Sequence, residues 1–153
     1  MNPKIDETGE ALDTFLSVGN IIERAIQEYV EHKHFIVAFD MDDTVWVNNG
    51  CCCDQVVELL RVCSAIPSMR LVVFTARPPE DYNETINQLN KLGIRYDAIN
   101  ENIDRSSNKN NKIFFNIFLD DRAGLPSAYE ALVGVVNWYF YQGGMKLIEQ
   151  DGR

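Results

Sequence analysis

Apolar residues along the chain fall into two kinds of run. Short, mainly apolar blocks occur at Phe35–Phe39, Leu71–Phe74, Ile94–Ile99, Ile113–Leu119 and Val135–Tyr139. Each predicts a strand, Ile94–Ile99 the weakest, and the wholly apolar Phe35–Phe39 predicts one buried on both faces. Between them apolar residues recur near helical period. Leu12, Phe15, Ile22, Ala25, Ile26 and Tyr29 predict a helix over Glu10–His32 that packs on the core, with a break at Gly19-Asn20. Asp54 is placed to cap a helix whose inner face is Val56, Val57, Leu60 and Cys63. Pro78-Pro79 open a helix with Tyr82, Ile86 and Leu89 inside, and Gly93 stops it. Residues 100–111, rich in Asn and Ser, predict a loop. Leu125–Val133 predicts a last helix stopped by Gly134, and nothing after Gln142 is patterned.

Strands alternating with helices imply an α/β domain with a parallel sheet. Ligands of such sheets bind beyond the carboxyl ends of the strands. Three of those ends carry chemistry: Asp40-Met41-Asp42-Asp43-Thr44, Thr75-Ala76-Arg77 and Asp120-Asp121-Arg122. The topology rule brings them to one edge.

Composition narrows the ligand. The 153 residues carry 14 basic and 23 acidic side chains, a net charge of −9. That argues against holding duplex DNA along its backbone, which needs a basic face. Acids crowded at one edge repel one another unless a cation sits between them, and a hard divalent ion with oxygen ligands, Mg²⁺, fits. An EF-hand does not fit, since Val45 would stand at the turn glycine and Cys51 at the bidentate glutamate. There is no Walker A and no G-x-G-x-x-G sequence. Cys51, Cys52, Cys53 and Cys63 are spaced for neither a disulfide framework nor a zinc knuckle, and suit thiols in a reducing compartment. With no secretory signal pattern and no apolar run of membrane length, the chain is expected to be cytoplasmic, with no membrane partner.

Phe39-Asp40-Met41-Asp42-Asp43-Thr44-Val45 resembles the D-x-D-x-T-[LV] signature of the haloacid dehalogenase (HAD) superfamily. Thr75, Lys112 and Asp120-Asp121 follow in the order of that superfamily's second, third and fourth motifs. Lys112–Arg122 and Gly93–Asn102 are similar to stretches of small HAD hydrolases, and Asp120-Asp121-Arg122 to the phosphatase domain of polynucleotide kinase-phosphatases. The likeness spans about residues 35–140. One departure is Asp43, where many relatives have glycine.

The resemblance implies a three-layer sandwich around the parallel sheet and a Mg²⁺-dependent phosphatase. Asp40 would attack phosphorus and Asp42 would act as general acid and base. Asp40, the Asp42 carbonyl and Asp120 would hold Mg²⁺, supported by Asp121 and Asp43. Thr75, Ala76, Arg77 and Lys112 would bind the phosphoryl group, with Lys109 the alternative lysine. Arg77 and Arg122 either touch substrate, brace the acids or form ordinary surface pairs. Trp46 either lines the site or packs beneath it, and His32 and His34 are ordinary surface residues.

The expected division is an N-terminal helical extension over residues 1–34, a catalytic core over 35–141 and a tail over 142–153. Only 30 residues separate Thr44 from Thr75, too few for a large cap domain. An open site suits a phosphorylated small molecule, a nucleotide or a nucleic-acid end, and an oligomer is compatible with it. Two alternatives use the same scaffold: a non-catalytic regulatory module that binds Mg²⁺ or a phospho-ligand, and a phosphotransferase. Setting aside the five clustered acids leaves 14 basic against 18 acidic side chains, a mild surface charge.

Overall fold

The computed structural model describes residues 13–47, 53–103 and 112–151. A four-stranded parallel sheet runs through the centre: β1 (Phe35–Phe39), β2 (Met69–Val73), β3 (Ala98–Ile99) and β4 (Ile117–Leu119), in the order β3-β2-β1-β4. Five α-helices accompany it among the described residues: α1 (Val18–His32), α2 (Asp54–Ala65), α3 (Tyr82–Leu92), α4 (Leu125–Tyr141) and α5 (Gly144–Asp151). The sheet, with helices packed on it, makes the protein α/β, as the alternating pattern requires. No helix among the described residues is long and apolar enough to cross a membrane.

β1 is buried at every position, and its side chains divide by parity. Phe35, Val37 and Phe39 join the main core, shared with helical residues such as Tyr29, Leu60, Leu89 and Leu132. Ile36 and Ala38 point to the other face, against Val72, Ala98, Ile103, Ile113, Phe115 and Phe118. Among the described residues that second face is covered by the crossover between β3 and β4 rather than by a helix.

The two weaker strands are shorter than their apolar patterns suggest, for the same physical reason. At the start of β4 the side chain of Asn116 accepts the Ile36 N–H (2.7 Å). At the start of β3 the side chain of Asp97 accepts the Leu71 N–H (2.8 Å). In each case a side-chain oxygen takes the place of a ladder carbonyl, so regular pairing begins one residue later. Of the predicted spans Ile113–Leu119 and Ile94–Ile99 only Ile117–Leu119 and Ala98–Ile99 are strand, and the side-chain bonds account for the residue directly before each.

The expected fifth strand is a correction. Val135–Tyr139 continues α4, which runs through Gly134 to Tyr141. Ala131, Leu132, Val135, Val136, Trp138 and Tyr139 are buried on it, a helical stripe in which burial overrides the strand preference of Val, Trp and Tyr. Gly134 is no stop. A Cβ there would lie 2.6 Å from Ile22 Cδ1, so the glycine lets α1 approach α4 closely. Gly93 does end α3, at φ 68°. Gly144–Asp151, where the sequence shows no pattern, form α5 and bury Ile148. The break in the first helix falls at Ser17, the N-cap of α1, instead of Gly19-Asn20. Asp54 is the first residue of α2 and Cys53 stands at its cap position, while the expected inner face of α2 is buried.

Candidate functional site

All four strands point the same way, so their carboxyl ends meet at one edge. There Asp40 follows β1, Phe74 and Thr75 follow β2, and Asp120 and Asp121 follow β4. Together with Asp42, Asp43, Ala76 and Arg122 they line an open cleft of about 430 Å³. The backbone continues the ladder one step past the strands. Asp40 N–H donates to Leu119 O (2.9 Å) and Phe74 N–H to Phe39 O (2.9 Å). Phe74, Asp40 and Asp120 thus form a row across three adjacent strands.

The first loop is a tight turn. Val45 and Trp46 both donate to Met41 O (3.0 and 2.9 Å), and Asp43 N–H donates to Trp46 O (2.9 Å). Asp43 occupies the left-handed region at φ 64°, a conformation that glycine adopts without steric cost. Met41, Thr44 and Val45 are buried beneath the turn, while Asp42 and Asp43 face solvent. Trp46 packs against the core and is not a lining residue.

Thr44 ties the first loop to the fourth. Its hydroxyl accepts the Asp121 N–H (2.9 Å) and donates to Asp121 Oδ1 (3.3 Å). Thr44 is fully buried, so losing the hydroxyl leaves Asp121 short of partners. Thr44→Val is therefore expected to destabilise the fold by about 1–3 kcal/mol, read as a lower urea midpoint at unchanged m-value.

Asp40 sits among like charges. Burial pushes its carboxyl pKa up from 3.8 to about 6, with Asp120, Asp42 and Asp121 adding repulsion and a hydrogen bond from Met41 N–H opposing it. Asp120 Oδ1 accepts the Arg122 N–H (2.8 Å). Arg122 lines the cleft with a side chain 89% exposed, and its guanidinium lies 3.9 Å from Asp121.

Arg77 is held inside the protein. Its Nε and Nη2 donate to the two carboxylate oxygens of Asp42 (3.0 and 2.5 Å). Its Nη1 donates to Thr85 Oγ1 (3.0 Å) and Gln88 Oε1 (2.8 Å) on α3. The hydrogen bonds to Asp42 raise the guanidinium pKa further. Thr85 and Gln88 are buried polar residues on the inner side of α3, which explains two positions that an apolar stripe leaves without a role. Arg77 is not among the lining residues.

Thr75 is buried, and its hydroxyl accepts the Arg77 N–H (3.2 Å). Asn100, which follows β3 at φ 51°, clamps it. Asn100 Oδ1 accepts the Thr75 N–H (2.9 Å), and Nδ2 donates to Thr75 O (2.7 Å) and to Tyr82 Oη (2.9 Å). Asn102 accepts the Phe114 N–H (2.7 Å) and donates to Lys112 O (3.0 Å), pinning the crossover. Sequence reasoning gave neither asparagine a task, although both lie in the stretch Gly93–Asn102. Lys112 is exposed and does not line the cleft. Lys109, Cys51 and Cys52 lie outside the described residues.

Among the described residues, no three His, Cys, Asp or Glu side chains are arranged as a ready-made metal site. The donors at the cleft are oxygens only, with Asp40 and Asp120 as register neighbours. Of the two described cysteines, Cys63 is buried, with its thiol pushed up to about 12 by burial. Cys53 donates weakly to Asp43 O (3.7 Å) and is also raised, chiefly by burial. Raised thiols make poor nucleophiles and metal ligands. His34 bonds to His32 O at the surface (2.9 Å), away from the lining residues.

No protein-family model, no curated protein and no solved structure matches the chain.

Proposed function

We propose that the protein is a Mg²⁺-dependent phosphatase with a HAD-like architecture and no large cap, hydrolysing a phosphomonoester through an aspartyl-phosphate on Asp40. The observation that carries this reading is the row of Asp40 and Asp120 at one sheet edge, with Thr75 in the same open cleft. An elevated, repelled carboxylate at the end of the central strand suits a group completed by a cation.

The donor set fits Mg²⁺. That ion is commonly held by one or two carboxylates, with waters and substrate phosphate completing an octahedron, so no full protein cage is needed. Asp40, Asp120 and the Asp42 carbonyl would hold it. When bound, it offsets the negative charge that would otherwise keep a phosphate away from Asp40. Asp40 Oδ then attacks phosphorus as the ester oxygen departs, and water later releases the phosphate. Asp42, one residue beyond the nucleophile's neighbour, moves the protons, first to the leaving oxygen and then from the water. Arg77, anchored to Thr85 and Gln88 on α3, orients that carboxylate. The Thr75 hydroxyl and the exposed Arg122, both at the cleft, would meet phosphoryl oxygens. Lys112 is not among the lining residues, so the reading puts less weight on it than the motif order does.

The test is phosphate release from an aryl phosphate with and without Mg²⁺. Chelation is expected to abolish turnover and Mg²⁺ to restore it. Turnover that survives chelation would overturn the reading.

A further inference from the structure

Phe74 stands out in the cleft. Five of the nine lining residues are acidic, so an anionic ligand gains little from most of the wall. Phe74 is the large apolar exception, and 40% of it is exposed. Its position follows from the pleat. Val72 faces the smaller core cluster and Val73 the main core, which turns Phe74 to the same face as Val72, Ala38 and Phe118. Ala38 on the central strand is small, so rings from the two flanking strands meet over it. Phe74 and Phe118 pack edge to face at 5.3 Å, and Phe118 packs on Phe115 at 5.2 Å. The inner part of the Phe74 ring is thereby fixed in a row of aromatics. Its uncovered part borders the cleft one strand, about 4.8 Å, from Asp40.

We infer that Phe74 selects the substrate, and that the group esterified to the phosphate carries a planar aromatic system, as the sugar of a nucleoside monophosphate or of a nucleic-acid end carries its base. The inference rests on the phosphatase reading above and deepens it. A rigid ring held by its neighbours loses little freedom when a second ring stacks on it, so the contact favours flat substrates over flexible ones. A cleft of about 430 Å³ has room for a base beside the phosphate. The acidic wall disfavours ligands that carry further anionic groups without an apolar part. Stacking needs only one face of the base, which an open cleft leaves accessible.

The experiment compares kcat/KM for adenosine monophosphate, a 5′-phosphorylated oligonucleotide, phenyl phosphate and glycerol phosphate, in the wild type and in Phe74→Leu. Leucine keeps apolar volume but has no ring. Either nucleotide substrate is expected to be favoured at least about 10-fold over glycerol phosphate. The ratio of the two nucleotide substrates identifies which source carries the ring. In Phe74→Leu the ratio of kcat/KM for adenosine monophosphate to that for glycerol phosphate should fall about 10-fold, mainly through KM. Equal wild-type kcat/KM for adenosine monophosphate and glycerol phosphate, or a ratio unmoved by the substitution in a folded variant, would overturn the inference while leaving the phosphatase reading intact. If none of the four is hydrolysed, the phosphatase reading fails instead. Calorimetric titration with adenosine monophosphate and with inorganic phosphate, both with Mg²⁺, then still reads the aromatic contact. Binding of the nucleotide no tighter than inorganic phosphate overturns it there as well.

Discussion

Asp40→Asn is expected to abolish phosphate release, by at least about 10³-fold, and to leave the fold intact. Asparagine matches the carboxylate in shape but has no anionic oxygen to attack phosphorus, so the covalent route closes. Stability should move the other way. The folded-state pKa of Asp40, about 6, lies above its ordinary 3.8. A carboxyl raised on folding weakens the fold wherever it is ionised. That penalty is complete above pH 6, fades as the pH falls from 6 to 4, and is gone below, where folded and unfolded chains both hold the proton. Removing the charge should therefore raise the metal-free melting temperature at pH 7.5. The group is partly solvated, so the gain is discounted to about 1 kcal/mol, or roughly 2–4 °C for a domain of this size. The gain should shrink towards pH 4. Adding Mg²⁺ should stabilise the wild type more than the variant. Calorimetry at two pH values and a phosphate-release assay read all three effects. An Asp40→Asn variant that retains wild-type turnover would end the proposed mechanism.

Arg77→Met should lower kcat about 10²-fold with little change in KM. The guanidinium grips both oxygens of Asp42 and is itself fixed by Thr85 and Gln88, so α3 sets the direction of the proposed proton carrier. Loss of that orientation removes general acid–base help of the order of ~10²–10⁴. Arg77→Lys should rescue little, because an ammonium ion cannot make the two-pronged contact while also reaching α3. Stability should fall by about 1–2 kcal/mol, since buried Gln88 Oε1 loses its donor. Steady-state kinetics separate the outcomes. A rise in KM at unchanged kcat would mean that Arg77 binds substrate instead of positioning Asp42.

Much of the site was legible because its parts follow strand ends. Phe35–Phe39 is short, wholly apolar and ends in acids, the pattern of a strand buried on both faces, and parallel topology then carries Asp40, Thr75 and Asp120 to one edge whatever the loops do. Thr85, Gln88, Asn100 and Asn102 were not legible as site residues. Each acts through a partner 8 to 25 residues away, and a polar residue in a helix or loop has no pattern that announces such a partner. Thr44 was visible as part of a motif, but its bond to Asp121 spans 77 residues.

The α/β class, the first two strands, the inner face of α2 and the grouping of the acids were determined by the sequence alone. Local periodicity and strand direction are properties of short segments. Only the tertiary structure decided that Val135–Tyr139 is helix, that Gly144–Asp151 form α5, and that Arg77 turns to Asp42. Val135, Trp138 and Tyr139 have side chains that suit a strand, yet α1 and the sheet offer them a helical groove. Arg77 has a long side chain that could reach either the cleft or α3, and the buried acceptors on α3 settle its direction. In both cases segments distant in sequence compete for the same side chains, and burial and hydrogen-bond partners choose between conformations that local propensity leaves close in energy.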